Sequence, residues 1–424
     1  MEGKLLDILR CPYCGGRLRP QEGPYHEERS GRVETGILGC ACCAYPVVAG
    51  IPYLCLDAAA DRAMRLLGRG EKQKAFFTLL GLRGARRKRF ERLLQSSSAL
   101  TWRAALKALS TGGEGRYFLY RFSDPTFVCS QAVVQAVGPL TLPSPPSERG
   151  RGEGEGGRAV LDLCGGTGHL TRVLCRLAGA SPVILADNTF WEVWLARRFL
   201  APACQPVCCD ANQPLPFAAD AFALVVCSDA FHYVWSKRLL AGEMARLVGG
   251  RGTILLPHLH NALGANHSAG LPLTPAHYRS LFAGLAVRLF PESAVLDGVL
   301  NRRPVDLSAN YPDGDLNKEN ALLLAASRRE GLFRVYDSDN GRWPGRLVVN
   351  PLYRRESRGG TVRLMLRFPS PDYEEEFGDC KRYLPRRVEL TAGMVRSLEA
   401  GRTSGILNEL AERYVLLDLP EGYL

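Results

Sequence analysis

The sequence lacks the features of a protein that crosses a membrane or inserts into one. No run approaches the ~18 uninterrupted apolar residues that a membrane-spanning helix needs. The first residues, MEGKLLDILRCPYC, lack the long apolar core of a secretory signal. Of 424 residues, 46% are hydrophobic and 23% are charged, which is typical of a globular protein with two to three domains. We therefore expect a cytoplasmic protein.

Residues 62–103 contain few acids. They hold twelve arginines or lysines against Glu71 and Glu91, so this segment (twelve less two) carries +10 of the net charge of +11. A solvated connecting helix is the simplest interpretation. The alternative is a surface that follows nucleic-acid phosphates, centred on Arg86, Arg87, Lys88 and Arg89.

Composition divides the chain into four parts. Residues 1–57 form a Cys- and Gly-rich unit, 58–115 a basic helical linker, 116–328 the largest unit, and 329–424 an accessory α+β domain of unknown type. Within the largest unit, residues 138–158 contain six glycines and four prolines. Because such a segment has little apolar content to bury, we predict a disordered insertion there.

Residues 159–328 alternate strand-like apolar runs with helical stretches. The predicted strands are AVLDLC, PVILAD, PVCCD, ALVVCS, TILLPHL, AVRLF and ALLLAAS. This alternation predicts an α/β sheet that is doubly wound, with helices on both faces.

A glycine-rich turn follows the first of these strands, in the run VLDLCGGTG of residues 160–168. Glycines there let backbone N–H groups approach a ligand at the carboxyl edge of the sheet. A dinucleotide-binding fold uses a similar turn, but Asp162 would repel a pyrophosphate and would favour a cationic sulfonium or ammonium group. Asp187 and Asp210 end the next two strands. A Rossmann-like fold with another ligand, or with a decayed site, is the alternative.

This pattern resembles the class I S-adenosylmethionine (SAM)-dependent methyltransferases, a group that acts on small molecules, lipids and some RNAs. Their first motif is Asp-x-Gly-x-Gly-x-Gly, and here Cys164 stands where its first glycine is usual. The resemblance implies a Rossmann-like sheet of seven strands, with Asp187 on the SAM ribose and Asp210 beside the adenine amino group. It also implies a turn, Cys227–Ser228–Asp229, under the methyl donor. The cofactor-binding residues implied are Asp162, Cys164, Gly165, Gly166, Gly168, Asp187, Asn188, Asp210, Ala211, Cys227 and Ser228.

Methyl transfer from a sulfonium needs mainly proximity and alignment. A base is required only where the acceptor must lose a proton. Candidates are Asp229, His232 and Tyr233, together with His258 and His260, although each taken alone is more simply a polar residue at the sheet edge. We do not interpret His258 and His260 as a metal pair, because no third ligand is evident.

Two Cys-x2-Cys pairs lie near the N-terminus, Cys11 with Cys14 and Cys40 with Cys43. Four thiolates on two tight turns suit a structural, tetrahedral Zn²⁺. Cys42 could replace Cys43 or Cys40 as a ligand. The alternative is that these cysteines pack as small hydrophobic residues.

This segment also resembles the small zinc-ribbon proteins that bind and activate tRNA, rRNA and translation-factor methyltransferases. The shared feature is Tyr-Pro-x-x-x-Gly-Ile-Pro, here residues 45–52. The resemblance implies a fused activator. We therefore predict a SAM-dependent methyltransferase whose acceptor (RNA, protein, lipid or small molecule) is not identified. The alternative is a non-catalytic nucleic-acid-binding or scaffold protein that retains a SAM-binding fold.

Overall fold

The computed structural model describes residues 1–23, 25–96, 100–111, 114–141, 158–267, 270–337, 346–358, 361–402 and 404–424. In those ranges no helix is both long enough and apolar enough to cross a membrane. The N-terminal part is a small antiparallel sheet, which we call the ribbon. It contains helix α1 (Gly3–Ile8) and strands β1 (Arg19–Pro20), β2 (Glu27–Arg29), β3 (Arg32–Gly39), β4 (Ala44–Val48) and β5 (Ile51–Pro52). The strands lie in the order β1-β3-β4-β5, with β2 paired to β3.

Four helices follow the ribbon: α2 (Ala58–Gly68), α3 (Lys72–Leu79), α4 (Gly84–Gln95) and α5 (Trp102–Leu109). Their apolar side chains, including Leu67, Phe77 and Phe90, are buried in a core shared with the central sheet. Cations of this segment lie in ion pairs, for example Lys72 with Glu27 at 2.9 Å and Arg87 with Glu91 at 2.9 Å. These contacts favour a packed connecting segment.

Helix α6 (Glu114–Tyr117), a 3₁₀ segment (Phe118–Ser123) and helix α7 (Pro125–Thr141) lead to the central sheet. Helix α7 continues four residues into the segment predicted as a disordered insertion. Gly138 packs closely on Leu177, since a Cβ at Gly138 would lie 3.3 Å from the Leu177 Cδ1, and this packing extends the helix. Residues 142–157, the rest of the insertion apart from Arg158, lie outside the described residues.

The central sheet has seven strands, as predicted. In chain order, its strands and the elements between them are β6 (Ala159–Leu163), α8 (His169–Leu177), β7 (Val183–Asp187), α9 (Phe190–Leu195), β8 (Gln205–Cys208), β9 (Phe222–Val226), α10 (Lys237–Val248), β10 (Thr253–His260), α11 (Pro275–Leu281), β11 (Ala286–Pro291), α12 (Glu292–Leu300), β12 (Val305–Asp306), α13 (Asp313–Leu316) and β13 (Ala321–Ser327). The order is β11-β13-β10-β9-β6-β7-β8, and β13 runs antiparallel to its two neighbours.

Alternate side chains of the sheet enter two different cores. Val160 packs with Leu174 of α8 on one face, and Leu161 packs in the core that contains Met244 of α10 on the other. The doubly wound α/β prediction is therefore confirmed, and the carboxyl ends of β6, β7, β8 and β9 meet at one edge.

The C-terminal region comprises β14 (Val335–Tyr336), β15 (Leu347–Val349), β16 (Tyr353–Arg358), β17 (Thr361–Leu366), α14 (Pro371–Phe377), β18 (Arg387–Thr391), α15 (Ala392–Glu399), α16 (Gly405–Glu412) and β19 (Leu416–Asp418). Residues 405–417 have a helical pattern of apolar residues, but the helix ends at Glu412, and residues 416–418 form a strand paired with β15. Pairing of Val349 with Leu416 buries both side chains, which explains the switch. This region has its own core, which includes Val128 of α7 and Leu296 of α12.

Candidate active site

The glycine-rich turn between β6 and α8 has the backbone that its sequence indicates. Gly166 and Gly168 have positive φ angles of 53° and 85°. A Cβ at Gly165 would lie 2.4 Å from the Leu185 Cδ1 and 2.7 Å from the Asp162 Cγ, so the turn requires glycine there. Cys164 also has a positive φ, of 57°, which costs a non-glycine residue roughly 1 kcal/mol.

A cavity of about 520 Å³ opens at this turn. Among the predicted residues, it is lined by Asp162, Cys164, Gly165, Gly166, Asp187, Asn188, Asp210, Ala211, Ser228, Asp229 and Tyr233. Five others lie outside its lining: Gly168, Cys227, His232, His258 and His260. Gly168 precedes α8 as its N-cap, and the side chains of Cys227 and His232 are fully buried. We call this space the cofactor-side cavity.

Asp187 connects the end of β7 to the glycine-rich turn. One carboxylate oxygen accepts a hydrogen bond from the Gly166 N–H at 3.0 Å and the other accepts from the Thr189 N–H at 3.0 Å. Only 9% of this residue is exposed. Burial raises the pKa of Asp187, and these backbone donors offset part of the rise.

Asp162 is almost completely buried at the floor of the cavity. Its carboxylate accepts a hydrogen bond from the Thr171 hydroxyl at 2.6 Å. Burial, with a smaller contribution from the charge of Asp187, raises the pKa of Asp162 to about 7. A cationic group in the cavity would therefore be strongly favoured beside this carboxylate.

An ion-pair network that motif analysis did not detect borders the same cavity. Arg121 donates to Asp229 at 2.7 Å and to Asp124 at 3.2 Å. Asp124 in turn accepts from the Phe127 N–H at 2.7 Å near the start of α7. Burial alone would raise the pKa of Asp229, but the charges of Arg121 and His258 outweigh it and lower that pKa. Asp229 is thus a stable carboxylate and a poor proton acceptor.

The candidate bases next to Asp229 form a histidine cluster. The rings of His232 and His260 stack with centroids 3.6 Å apart at 14°. Burial, and then the neighbouring His260, lower the pKa of His232 to about 3. Because His232 is fully buried and does not line the cofactor-side cavity, the geometry does not support it as a base. Tyr233 lines that cavity and is 44% exposed.

Asp229, His232 and His260 bring three potential metal ligands within 4.8 Å of one another. Imidazole nitrogens donate in the plane of the ring. Two nearly parallel stacked rings therefore direct their lone pairs side by side and not toward one ion. This group is not the pair His258 and His260 that the sequence offered, because His258 is not part of it.

Two walls of the cofactor-side cavity come from segments far away in the sequence. Tyr117 and Phe118 precede α7, and Glu376 and Phe377 belong to α14. No sequence motif marks these four residues, and only the folding of the C-terminal region onto α7 and α12 brings α14 to the cavity.

The N-terminal cysteines converge in the ribbon. The thiols of Cys11, Cys14, Cys40 and Cys42 lie within 4.8 Å of one another, with Sγ–Sγ distances of 3.7 Å for Cys11–Cys42, 3.7 Å for Cys14–Cys40 and 3.5 Å for Cys40–Cys42. Zinc–sulfur bonds of about 2.3 Å in a tetrahedron place sulfurs about 3.8 Å apart. The four thiols therefore fit a zinc ion.

The fourth thiol of this cluster is Cys42, the alternative to Cys43 that the sequence left open. The Cys40 N–H donates to the Cys43 carbonyl at 2.9 Å, and the Cys43 N–H donates back to the Cys40 Sγ at 3.3 Å. These bonds close a tight turn in which Cys43 begins the return into β4. Cys42, at the exposed tip of the turn, faces the other three thiols.

The ribbon continues the central sheet at its β8 edge. Tyr53 pairs in parallel with Cys208, and the Leu54 N–H donates to the Cys208 carbonyl at 2.7 Å. A cavity of about 620 Å³ lies between the ribbon and the sheet and is bordered by Tyr53 and Cys55. Asn188 and Asp210 line both this space and the cofactor-side cavity, so the ribbon borders the predicted adenine end of the site.

Comparison with known proteins agrees with this topology. Residues 160–252 match the family model described as a methyltransferase domain. No curated protein matches the chain.

Similar solved structures include a SAM-dependent methyltransferase from Mesorhizobium loti, with 18% identity, a TM-score of 0.33, and coverage of 47% of this chain and 99% of that one. A TehB-like SAM-dependent methyltransferase from Corynebacterium glutamicum has 14% identity, a TM-score of 0.33, and coverage of 47% and 88%. A third is a complex between the Haloferax volcanii Trm112 methyltransferase activator and a candidate methyltransferase, with 22% identity, a TM-score of 0.32, and coverage of 42% and 86%.

The family match spans β6 to the turn before β10, the segment that supplies the glycine-rich turn and the acids Asp162, Asp187 and Asp210 of the cofactor-side cavity. The match identifies a methyltransferase domain at residues 160–252, within the seven-stranded α/β sheet.

Proposed function

We propose that the protein transfers a methyl group from SAM to an acceptor, with SAM held in the cofactor-side cavity. The observation that carries this proposal is the placement of three acids, Asp162, Asp187 and Asp210, around one glycine-rich turn. Each acid comes from the end of a neighbouring parallel strand. When bound, SAM supplies a methyl group on a cationic sulfonium that is already activated for displacement.

Each acid matches a different part of SAM. Asp162, buried and with a raised pKa, lines the cavity and would hold the cationic methionine end. Asp187 is placed to accept from the ribose hydroxyls, and its bond to the Gly166 N–H holds the turn against the ligand. Asp210 accepts from the Asn212 N–H at 2.8 Å and lies at the adenine end beside the ribbon. The chain thus supplies charge complementarity and alignment.

At the methyl end, Asp229 and Ser228 form the turn that would lie under the donor. Arg121 fixes Asp229, and the Ser228 hydroxyl lies 2.8 Å from that of Ser130 in α7. Glu376 and Phe377 of α14 cover this end. These contacts position the acceptor and exclude water, and no step requires the buried His232.

We also propose that the ribbon holds one structural Zn²⁺ through Cys11, Cys14, Cys40 and Cys42. It would act as a built-in partner of the methyltransferase domain, in the manner of the free-standing activators it resembles. The support is its pairing with Cys208 and its shared border with Asn188 and Asp210. A tethered partner stays bound even through a weak interface, because the tether gives it a high effective concentration.

Calorimetric titration with SAM tests the cofactor site. Asp187→Ala should weaken SAM binding by about 2–3 kcal/mol, because it removes charge-assisted hydrogen bonds. Asp220→Ala is the matched control: Asp220 lies before β9, is exposed, and pairs with Arg158 at 2.7 Å away from the cavity. Equal affinity of the two variants, or no SAM binding by the wild type, would reject the site.

A further inference from the structure

A second cavity, of about 340 Å³, lies beside the cofactor-side cavity. It is bordered by residues of α7, the end of β10, α12 and α14. Glu376 and Phe377 line both cavities. The second cavity therefore adjoins the methyl-donor end of the proposed SAM site, and we call it the acceptor-side cavity.

The lining of the acceptor-side cavity is strongly acidic. Its carboxylates are Glu292, Glu319, Glu375, Glu376 and Asp379. No lysine or arginine is found among the described residues that line it. Such a cavity repels phosphates and carboxylates and attracts cations.

Three histidines line this cavity, fewer than its five carboxylates: His258, His260 and His267, whose Nδ1 lies 3.3 Å from the Glu375 carboxylate. Burial alone would lower the pKa of His258, but Glu292 and Asp229 raise it to about 9. The resulting cation is matched by Glu292, whose carboxylate lies 2.6 Å from the His258 Nδ1. Burial, and then the charge of His258, lower the pKa of His260 to about 4, so His260 is neutral.

Two buried polar atoms at this cavity have no hydrogen-bond partner within the described protein. They are the Nδ1 of His260, a residue that is only 4% exposed, and one carboxylate oxygen of Glu292. A buried polar atom without a partner costs about 1–3 kcal/mol. Because both residues line the cavity, a polar ligand there could satisfy these atoms.

We propose that the methyl acceptor is a small organic cation bound in the acceptor-side cavity, with an ammonium group held by the carboxylates there. The methyl group goes to an uncharged nitrogen of the same molecule: the lone pair of this nitrogen forms the new C–N bond as the S–CH3 bond of SAM breaks, the nitrogen takes the positive charge, and S-adenosylhomocysteine leaves. This proposal rests on the proposed methyltransferase function. The volume lies within the roughly 300–1,000 Å³ of small-molecule pockets. An ammonium group would donate to the carboxylates that line the cavity, whereas an RNA acceptor would bring phosphates to a negatively charged wall.

Calorimetry with chain-matched probes tests this specificity. Cadaverine, pentanediol and glutarate have the same carbon chain and carry ammonium, hydroxyl and carboxylate ends respectively. Titrated into the full-length protein saturated with S-adenosylhomocysteine, cadaverine should bind at least about tenfold more tightly than either other probe, as expected for charge-assisted hydrogen bonds. Absence of cadaverine binding, or equal binding of pentanediol or glutarate, would overturn the proposal.

Variants of two carboxylates locate the bound cation. Glu319 and Glu375 line the acceptor-side cavity but not the cofactor-side cavity. The double variant Glu319→Gln/Glu375→Gln should weaken cadaverine binding about tenfold or more and leave SAM affinity unchanged. Glu374→Gln is the matched control, because Glu374 is on the same helix, pairs with Lys381 and lies outside the cavity.

The outcomes separate this inference from the proposed function. Cadaverine binding that is equal in the double variant and in the control would overturn the cavity as the cation site. If SAM binds but cadaverine does not, the acceptor proposal fails and the cofactor site stands. If SAM itself does not bind, the proposed function fails.

Discussion

The ribbon and the C-terminal region both pack against the central sheet, yet they are stabilised in different ways. The ribbon packs into a core that it shares with the central sheet, and it brings four thiols together. The C-terminal region instead has a core of its own, with large buried side chains such as Tyr373 and Leu364. The ribbon borders one end of the cofactor-side cavity and α14 covers the other. A module with four convergent thiols and a module with its own apolar core thus contribute to one site.

The comparison explains why one region could be interpreted from sequence and the other could not. Metal ligation requires particular residues at particular spacings, so Cys11 and Cys14 are visible as a motif. A hydrophobic core tolerates many side chains of suitable volume, and nothing in the run PDYEEEF distinguishes α14 as a wall of the site.

Loss of a zinc ligand should have the largest effect. Cys42→Ser should lose zinc and unfold the ribbon, because structural zinc contributes on the order of 10 kcal/mol to folding of so small a unit. Cys43→Ser should retain about one zinc per chain, since Cys43 lies outside the four-thiol cluster. Atomic emission and thermal unfolding measure both effects. Zinc loss in Cys43→Ser alone would restore the sequence-based ligand set.

The partner role of the ribbon is tested with Cys11→Ser/Cys14→Ser. If the ribbon supports the adenine end of the site, this zinc-free variant should bind SAM more weakly and expose the β8 edge. A variant without zinc whose methyltransferase domain melts and binds SAM like the wild type would leave a zinc site but no partner role.

The stability of the C-terminal region should depend on the filling of its apolar core and not on metal. Leu364→Ala should lower the free energy of unfolding by about 2–5 kcal/mol, because it empties a fully buried position. The control, Ile406→Ala, removes a side chain that is 58% exposed and should cost within about 0.5 kcal/mol. A zinc chelator should leave this region folded. Equal effects of the two variants in chemical denaturation would contradict the proposed core.

A moderate effect is expected from pH at the SAM site. Because the free Asp162 has a pKa of about 7 and a cationic ligand lowers it, binding should release a proton when the pH is below that value. SAM affinity should therefore increase as pH rises through about 6 to 7.5 and then level off. Calorimetry across this range provides the test, and Asp162→Asn should remove the dependence. The same pH profile in wild type and variant would exclude Asp162 as its source.

The smallest effect should come from the basic segment. Lys88→Ala/Arg89→Ala should change the free energy of unfolding by less than about 0.5 kcal/mol, because both side chains are largely at the surface. In a filter-binding assay with generic RNA, we expect the wild type to show no steep salt dependence, so the two substitutions have none to remove. Retention of RNA at low salt that is lost in the double variant would favour the nucleic-acid-binding alternative.

The sequence predicted the central fold better than it predicted the site. All seven strands of the sheet were predicted, because each is a short apolar run bounded by polar turns. Asp187 was predicted at the end of its strand, and it is the last residue of β7. Arg121 and Glu376 were missed, since their roles come from contacts between segments distant in sequence. Cys42, which the sequence left open as an alternative ligand, joins the four-thiol cluster because the hydrogen bonds of the turn, and not residue spacing, decide which thiol faces the other three.

The structure of the protein bound to S-adenosylhomocysteine tests the central claim most directly. We expect the ligand in the cofactor-side cavity. Its ammonium group should lie near Asp162, its ribose hydroxyls should donate to the Asp187 carboxylate, and its adenine amino group should lie near Asp210. A ligand bound elsewhere, or an empty cavity at saturating S-adenosylhomocysteine, would contradict the account.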